Sequence, residues 1–162
     1  MRFVIVTGVS GAGKTAALKM LEDMNYFCVD NLPIQLLEKF ASLLPEMQGE
    51  NVRNVALGID ARSGSALDEL EVVLDRMKNT GYEYEILFMD AEDSVLVKRY
   101  KESRRSHPLA RTGRIDEGIR LEREKTKFLR RRADYIIDTS HLLTTELRQE
   151  IERIFVDDRE FS

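Results

Sequence analysis

The 162-residue sequence has a single cysteine, no tryptophan, two histidines and three prolines. One thiol cannot form a disulfide within the chain, so the fold must rest on packing rather than cross-links. That thiol, Cys28, lies in the apolar stretch Tyr-Phe-Cys-Val-Asp and reads as a buried structural group rather than a reactive one. No apolar run approaches the roughly 20 residues that a membrane-spanning helix requires. The short apolar run near the N-terminus is followed by a glycine-rich loop, with no small-residue cleavage site, so it does not read as a secretory signal. A cytoplasmic chain with no membrane partner is the expectation. No internal repeat or low-complexity tract is visible.

The sequence also lacks a uniform excess of either charge. The net charge is −4. Residues 98–132 carry +9 and all other residues together −13, counted from the sequence. An evenly basic nucleic-acid binder is excluded by this balance, whereas one basic segment on an acidic body suits a local site for a polyanion. The length and the 43% hydrophobic content are those of one globular domain with one core.

Five short apolar runs, at residues 3–7, 26–30, 54–60, 85–90 and 135–138, read as strands buried on both faces. Between them lie helical patterns at 14–24, 34–44, 66–80, 94–103 and 115–132, with a last one at 144–155. Pro33 suits a first helical turn, and Gly81 a C-cap. This alternation predicts an α/β fold: a doubly wound, mainly parallel five-stranded sheet with helices on both faces. Residues 103–114, with Ser, Pro, Gly, His and several Arg, read as a loop or lid.

The strongest motif is Gly8-Val9-Ser10-Gly11-Ala12-Gly13-Lys14-Thr15, which fits G-x-x-x-x-G-K-[ST]. It follows the first strand and opens the first helix, the context in which the motif has meaning. Its glycines let successive N–H groups turn inward on phosphate oxygens, and the helix dipole points at the same anion. Lys14 is expected in an open cleft, reaching the β- and γ-phosphates, with the Thr15 hydroxyl on Mg²⁺. The expected fold is therefore of the P-loop NTPase or kinase type, and the expected cofactors are ATP or GTP with Mg²⁺.

Such sites need a second carboxylate for the metal. Three strand runs end in Asp30, Asp60 and Asp90, all candidates for one rim. Asp60 is favoured as the metal-positioning and catalytic carboxylate; Asp30, before Asn31-Leu32-Pro33, is next, and Asp90 is the weakest. Each could instead cap a helix or bend a turn. In the basic segment, Arg99, Lys101, Arg111 and Arg114 fit a solvated helix face with Glu102, Glu122 and Glu124 as counterions. Arg104 and Arg105 stand apart from acids and read as lid residues that meet charge developing on the phosphates. His107 has no visible partner and reads as polar surface. The run Arg130-Arg131-Arg132 suits a helix C-terminus and is expected to hold no ligand.

Taken in order, GVSGAGKT, ALKMLEDMNYFCVDNLP, IDAR, RYKESRRSHPL and ADYIIDTS resemble the nucleotide-binding half of the RapZ/YvcJ family, bacterial P-loop proteins that include RNase adapter proteins. VDNLP and RRxHPL carry the resemblance more specifically than the phosphate loop. It implies binding and slow hydrolysis of ATP and GTP. The first nucleotide motif falls on loop 8–15, and a second, linked with GTP, on Asp60, Ala61, Arg62 and Ser63. It further implies that residues 1–156 form the nucleotide-binding domain and that 157–162 begin a linker. The C-terminal half that follows in such proteins would hold any protein or small-RNA contacts. Two other functions fit the residues: a kinase for a small molecule or nucleotide, with Asp30 as base, and a nucleotide-dependent binding module without turnover.

Overall fold

The computed structural model describes residues 2–47, 54–60, 64–103 and 114–156. Its elements run β1 (Phe3–Gly8), α1 (Lys14–Asp23), β2 (Phe27–Val29), α2 (Ile34–Met47), β3 (Val55–Gly58), α3 (Gly64–Thr80), β4 (Glu85–Asp90), α4 (Asp93–Ser103), α5 (Ile115–Arg132), β5 (Tyr135–Asp138) and α6 (Thr144–Phe155). The strands form one five-stranded sheet in the order β2-β3-β1-β4-β5, parallel throughout. This is the expected α/β fold, with helices on both faces.

Topology places the helices. The chain leaves β1 toward β2 through α1, but leaves β2, β3 and β4 in the opposite direction. Crossovers of one hand that run in opposite directions cover opposite faces. Accordingly α1 packs with α6 on one face, while α2, α3 and α5 pack in series on the other. The direction reverses between β1 and β3, and ligand clefts open at the carboxyl ends of strands at such a switch point. The loop after β1 and Asp60 after β3 both lie there.

Of the three inner strands, β1 and β3 are buried along their whole length and β4 from Ile86 onward, which explains their largely apolar sequence. The edge strands β2 and β5 are partly exposed. Ile5, Leu57, Ile86 and Phe88 join Leu21, Leu37, Leu70, Leu74, Met77 and Phe155 in one core. Sequence periodicity overextended two strands. Tyr26 is buried but precedes β2, because its N–H bonds to the Leu21 carbonyl and its hydroxyl donates to the Phe155 carbonyl. β3 stops at Gly58, and Asp60 lies beyond it. Helix α2 runs past the expected end, through Pro45 to Met47.

Cys28 is half-buried, its thiol directed at the Leu18 carbonyl at 3.4 Å. Burial pushes its pKa up to about 11, as an unreactive thiol requires.

At the other end of the sheet, Arg2 ties four elements. Its guanidinium donates to both Glu85 carboxylate oxygens at 2.6 and 2.8 Å and to the Ile154 carbonyl at 2.7 Å, and lies 4.9 Å from the Phe155 ring centre. Burial alone would raise the Glu85 pKa, but the hydrogen bonds and charge of Arg2 outweigh it and hold Glu85 below its usual value. A carboxylate depressed in the folded state adds stability above its unfolded pKa, and that stability is lost as pH falls through the folded value. The stability difference between wild type and Glu85→Gln, measured by urea unfolding, should therefore be largest near neutral pH and shrink as the solution is acidified below the ordinary carboxylate range. A difference independent of pH would mean the pair contributes packing only.

Candidate functional site

The loop between β1 and α1 owes its shape to contacts from three other parts of the chain. A trans peptide is planar, so anchoring its carbonyl in one direction sends its N–H the opposite way. The Ala12 carbonyl accepts from the Thr139 hydroxyl at 2.7 Å, which turns the Gly13 N–H away from β5. The Gly11 carbonyl accepts from Arg99 of α4 at 2.9 Å. The Ala12 N–H donates to the Val9 carbonyl at 3.1 Å. The Ser10 N–H and hydroxyl both donate to Glu122 of α5, each at 2.6 Å. After these bonds, the N–H groups of Gly11, Gly13, Lys14, Thr15 and Ala16 have no hydrogen-bond partner among the described residues, and all five residues line one cleft. The first turn of α1 adds its dipole to them.

The cleft has a volume of about 430 Å³ and also touches Asp30, Asn31, Asp60, Arg99 and Tyr100. A larger hollow of about 740 Å³ lies around Arg2, Tyr84 and Arg132. Its two arginines are engaged: Arg2 holds Glu85, and Arg132 holds Asp75 and the Tyr84 hydroxyl. Volume therefore does not identify the site; free donors do.

Lys14 is less open than expected. Its side chain is 17% exposed, with the ammonium 3.5 Å from Asp30 and 3.9 Å from Asp60. Thr15 is exposed at the cleft wall. Asp30 is seated in a slot made by Gly58, where an added Cβ would lie 2.6 Å from Asp30 Oδ1 and 2.8 Å from Leu18 Cδ1. Beyond it the chain turns through Asn31 at φ 54°, whose N–H donates to Asp30, and the Leu32 N–H closes onto the Gly58 carbonyl.

Two of the three expected carboxylates thus meet in the cleft. Asp90 does not share that rim. It is buried, and Arg123 and Arg130 hold it at 2.9 and 3.1 Å, so it anchors α5. Arg99 and Glu122 also depart from the reading of a solvated charged face: Arg99 grips the phosphate loop and Thr139, and Glu122 is 1% exposed. A signal for Glu122 did exist. It occupies the buried stripe of α5 with Gly118, Ile119, Thr126 and Leu129, at spacings where an apolar residue belongs. Arg114 pairs with Asp116 at the surface. Ala61, Arg62, Ser63, Arg104, Arg105, His107 and Arg111 lie outside the described residues. Among the described residues, no helix is long and apolar enough to cross a membrane, and no group of three or more His, Cys, Asp or Glu is placed to hold a metal.

A parallel sheet in this order, with a glycine-rich loop and Lys14 at its switch point, defines a P-loop protein of kinase-like fold. Solved structures share that architecture. A shikimate kinase from Bacteroides thetaiotaomicron superposes with a TM-score of 0.62 at 19% identity, over 94% of this chain and 96% of that one. One from Acinetobacter baumannii gives 0.59 at 17% identity, over 98% and 95%. At such identities the likeness is one of fold alone. Residues 1–159 match the family described as the RapZ-like N-terminal domain, and the chain belongs to that family. A curated protein of Lachnoclostridium phytofermentans, called a nucleotide-binding protein, is 63% identical over 98% of this chain and 55% of its own length. Another with the same name, from Agathobacter rectalis, is 58% identical over 99% and 55%. The chain thus spans about half the length of the curated relatives it matches.

The Gly58 slot makes a direct prediction. Gly58→Ala should lower stability by about 1–3 kcal/mol, read from urea unfolding, because the Asp30 carboxylate and the Leu18 methyl both confine the added methyl. An unchanged midpoint would show that Asp30 and Leu18 can step aside freely.

Proposed function

We propose that this domain binds ATP and GTP as their Mg²⁺ complexes and hydrolyses them slowly, as the nucleotide-binding part of a longer regulatory protein of the cytoplasm. The observation that carries this reading is the row of unpartnered N–H groups around Lys14, at the start of a helix and within the phosphate-loop motif. A cluster of free N–H donors at a helix start suits an anion such as a nucleotide phosphate better than a neutral ligand. The names of the relatives agree with nucleotide binding.

In this reading the loop N–H groups hold the phosphate oxygens and Lys14 leaves its carboxylate pairs to meet the β- and γ-phosphates. The Thr15 hydroxyl and Asp60 present hard oxygen donors suited to Mg²⁺, with Asp60 acting mainly through water. When bound, the ion supplies positive charge to the outer phosphate oxygens. Arg104 and Arg105 are assigned, from the sequence, to the charge that grows on the transferring group, and residues 60–63 to guanine nucleotide. Partners of the whole protein, whether other proteins or small RNAs, are assigned to the half of the relatives' length beyond this domain.

A second reading rests on Asp30. Its carboxylate is fixed in the cleft beside Lys14, where an acceptor hydroxyl could lie against it. It would take the hydroxyl proton as the oxygen attacks the γ-phosphorus and the bond to the bridging oxygen breaks, releasing a nucleoside diphosphate. Phosphate release measured with ATP and GTP, with and without a panel of small hydroxyl compounds, separates the two. Acceptor-dependent ADP formation favours the kinase.

Lys14→Ala should abolish nucleotide binding and turnover while the protein stays folded; wild-type turnover at matched nucleotide would remove the loop from the active site. Asp60→Asn should weaken nucleotide binding far more with Mg²⁺ than without it. If Asp30→Asn alone produced that metal-dependent loss, Asp30 and not Asp60 would be the metal-positioning carboxylate.

A further inference from the structure

A negative charge beside a polyphosphate site opposes binding, yet Glu122 is buried directly against the phosphate loop. Its two oxygens accept one hydrogen bond each from the Ser10 N–H and Ser10 hydroxyl. We propose that Glu122 is a positioning residue for phosphate binding: from α5 it fixes the front of the loop in its phosphate-ready shape before any nucleotide arrives. The inference rests on the nucleotide-binding reading above.

The geometry gives the mechanism. Holding the Ser10 N–H toward α5 turns the Val9 carbonyl the opposite way, because the two belong to one planar peptide. There the Val9 carbonyl accepts the Ala12 N–H at 3.1 Å and closes the turn. That closure, with the Thr139 bond to the Ala12 carbonyl, leaves the Gly11 and Gly13 N–H groups free. Without Glu122, the Ser10 N–H is free to rotate, the Val9–Ala12 closure loses its support, and the loop must be ordered by the ligand at the expense of affinity.

The strut is rigid at its far end. The next residue, Arg123, bonds to Asp90, to Asp93 and to the Ala91 carbonyl, and the Thr126 hydroxyl donates to the Glu122 carbonyl. Helix α5 is thereby bolted to the end of β4, so the Glu122 carboxylate has little freedom to follow a wandering loop. A carboxylate that served only to fill the α5–sheet interface would not need both oxygens on one loop residue.

The proposal lies in the acceptor geometry toward Ser10, and the variants test it against charge. Gln keeps an oxygen for the Ser10 N–H; Ala keeps none. The probes are Mg²⁺-ATP and inorganic tripolyphosphate, the latter reading the loop without any base or sugar, with calorimetric affinities taken well below each variant's melting temperature. Glu122→Ala should lose affinity for both probes by about tenfold or more, the effect of freeing one or two backbone residues. Glu122→Gln should stay within about threefold of wild type, and Ser10→Ala, which removes only the hydroxyl bond, should fall between. In the ligand-free protein, Glu122→Ala should speed amide exchange at Ala12 by about tenfold, because its bond to Val9 is the one the strut supports.

Wild-type affinity and Ala12 exchange in a folded Glu122→Ala protein would overturn the proposal, as would a loss in Glu122→Gln equal to that in Glu122→Ala. If Glu122→Ala does not fold, Ser10→Ala decides it: wild-type affinity for both probes would then overturn the proposal. Should wild type bind neither probe, the nucleotide-binding reading fails instead, and the Ala12 exchange rate alone tells whether Glu122 shapes the loop.

Discussion

The chain turns out of β1 by passing against β4 at a distance no side chain tolerates. A Cβ on Gly8 would lie 2.2 Å from the Met89 carbonyl oxygen and 2.7 Å from its nitrogen, and Gly8 holds a φ of 143°. From that approach the Val9 N–H reaches the Met89 carbonyl at 3.1 Å, so the loop starts from a fixed point on the sheet. Everything later in the loop is positioned relative to it. Thr139 at the end of β5, Arg99 on α4 and Glu122 on α5 each take one peptide group and leave the others free. The site is therefore less a property of eight consecutive residues than of a sheet edge and three distant side chains that agree on one conformation.

The same economy of anchors accounts for the basic segment. Several of its described arginines are engaged by fixed partners. Arg123 and Arg130 converge on Asp90, Arg132 holds Asp75 and Tyr84, Arg120 pairs with Glu124, and Arg99 is bonded to main-chain and hydroxyl oxygens. Most of these pairs are partly exposed and individually add little to stability. Their collective effect is orientational. They fix α4 and α5, the helices on either side of residues 104–113, against the phosphate loop and the end of β4.

How far the sequence revealed this depends on whether a signal was local. The alternation of buried strands and amphipathic helices is local, and the sheet followed from it. The phosphate loop is local, since eight residues contain both the turn chemistry and the lysine. Asp60 and Asp90 end similar apolar runs, and local pattern cannot separate them. Their difference lies in Arg123 and Arg130, which reach Asp90 from 33 and 40 residues away. Arg99 sits among charged neighbours on a helix, and only the packing of α4 turns it onto Gly11. Tyr26 looked like the start of a strand because it is apolar and adjacent to one. Its backbone is drawn instead to the end of α1. Glu122 is the instructive case: its spacing puts it on the apolar stripe of α5, while its charge points to solvent, and the spacing prevails.

The arrangement around Lys14 sets an electrostatic condition on any ligand. One ammonium lies between two carboxylates, 3.5 Å from Asp30 and 3.9 Å from Asp60. Each Lys–Asp pair at these distances is worth about 1 kcal/mol in water and more where solvent is thin. A polyphosphate entering alone would have to draw Lys14 away from both acids and then lie close to them. An accompanying divalent cation reverses the balance, because it supplies the positive charge that Asp30 and Asp60 lose when Lys14 turns to the phosphates. On the nucleotide-binding reading proposed above, the carboxylates would act as a filter that disfavours a bare anion and favours one that carries its own cation, while the loop N–H groups would hold the phosphate oxygens in either case. Selectivity for the metal complex would then reside at the ends of β2 and β3, and the capacity to hold phosphate in the turn after β1.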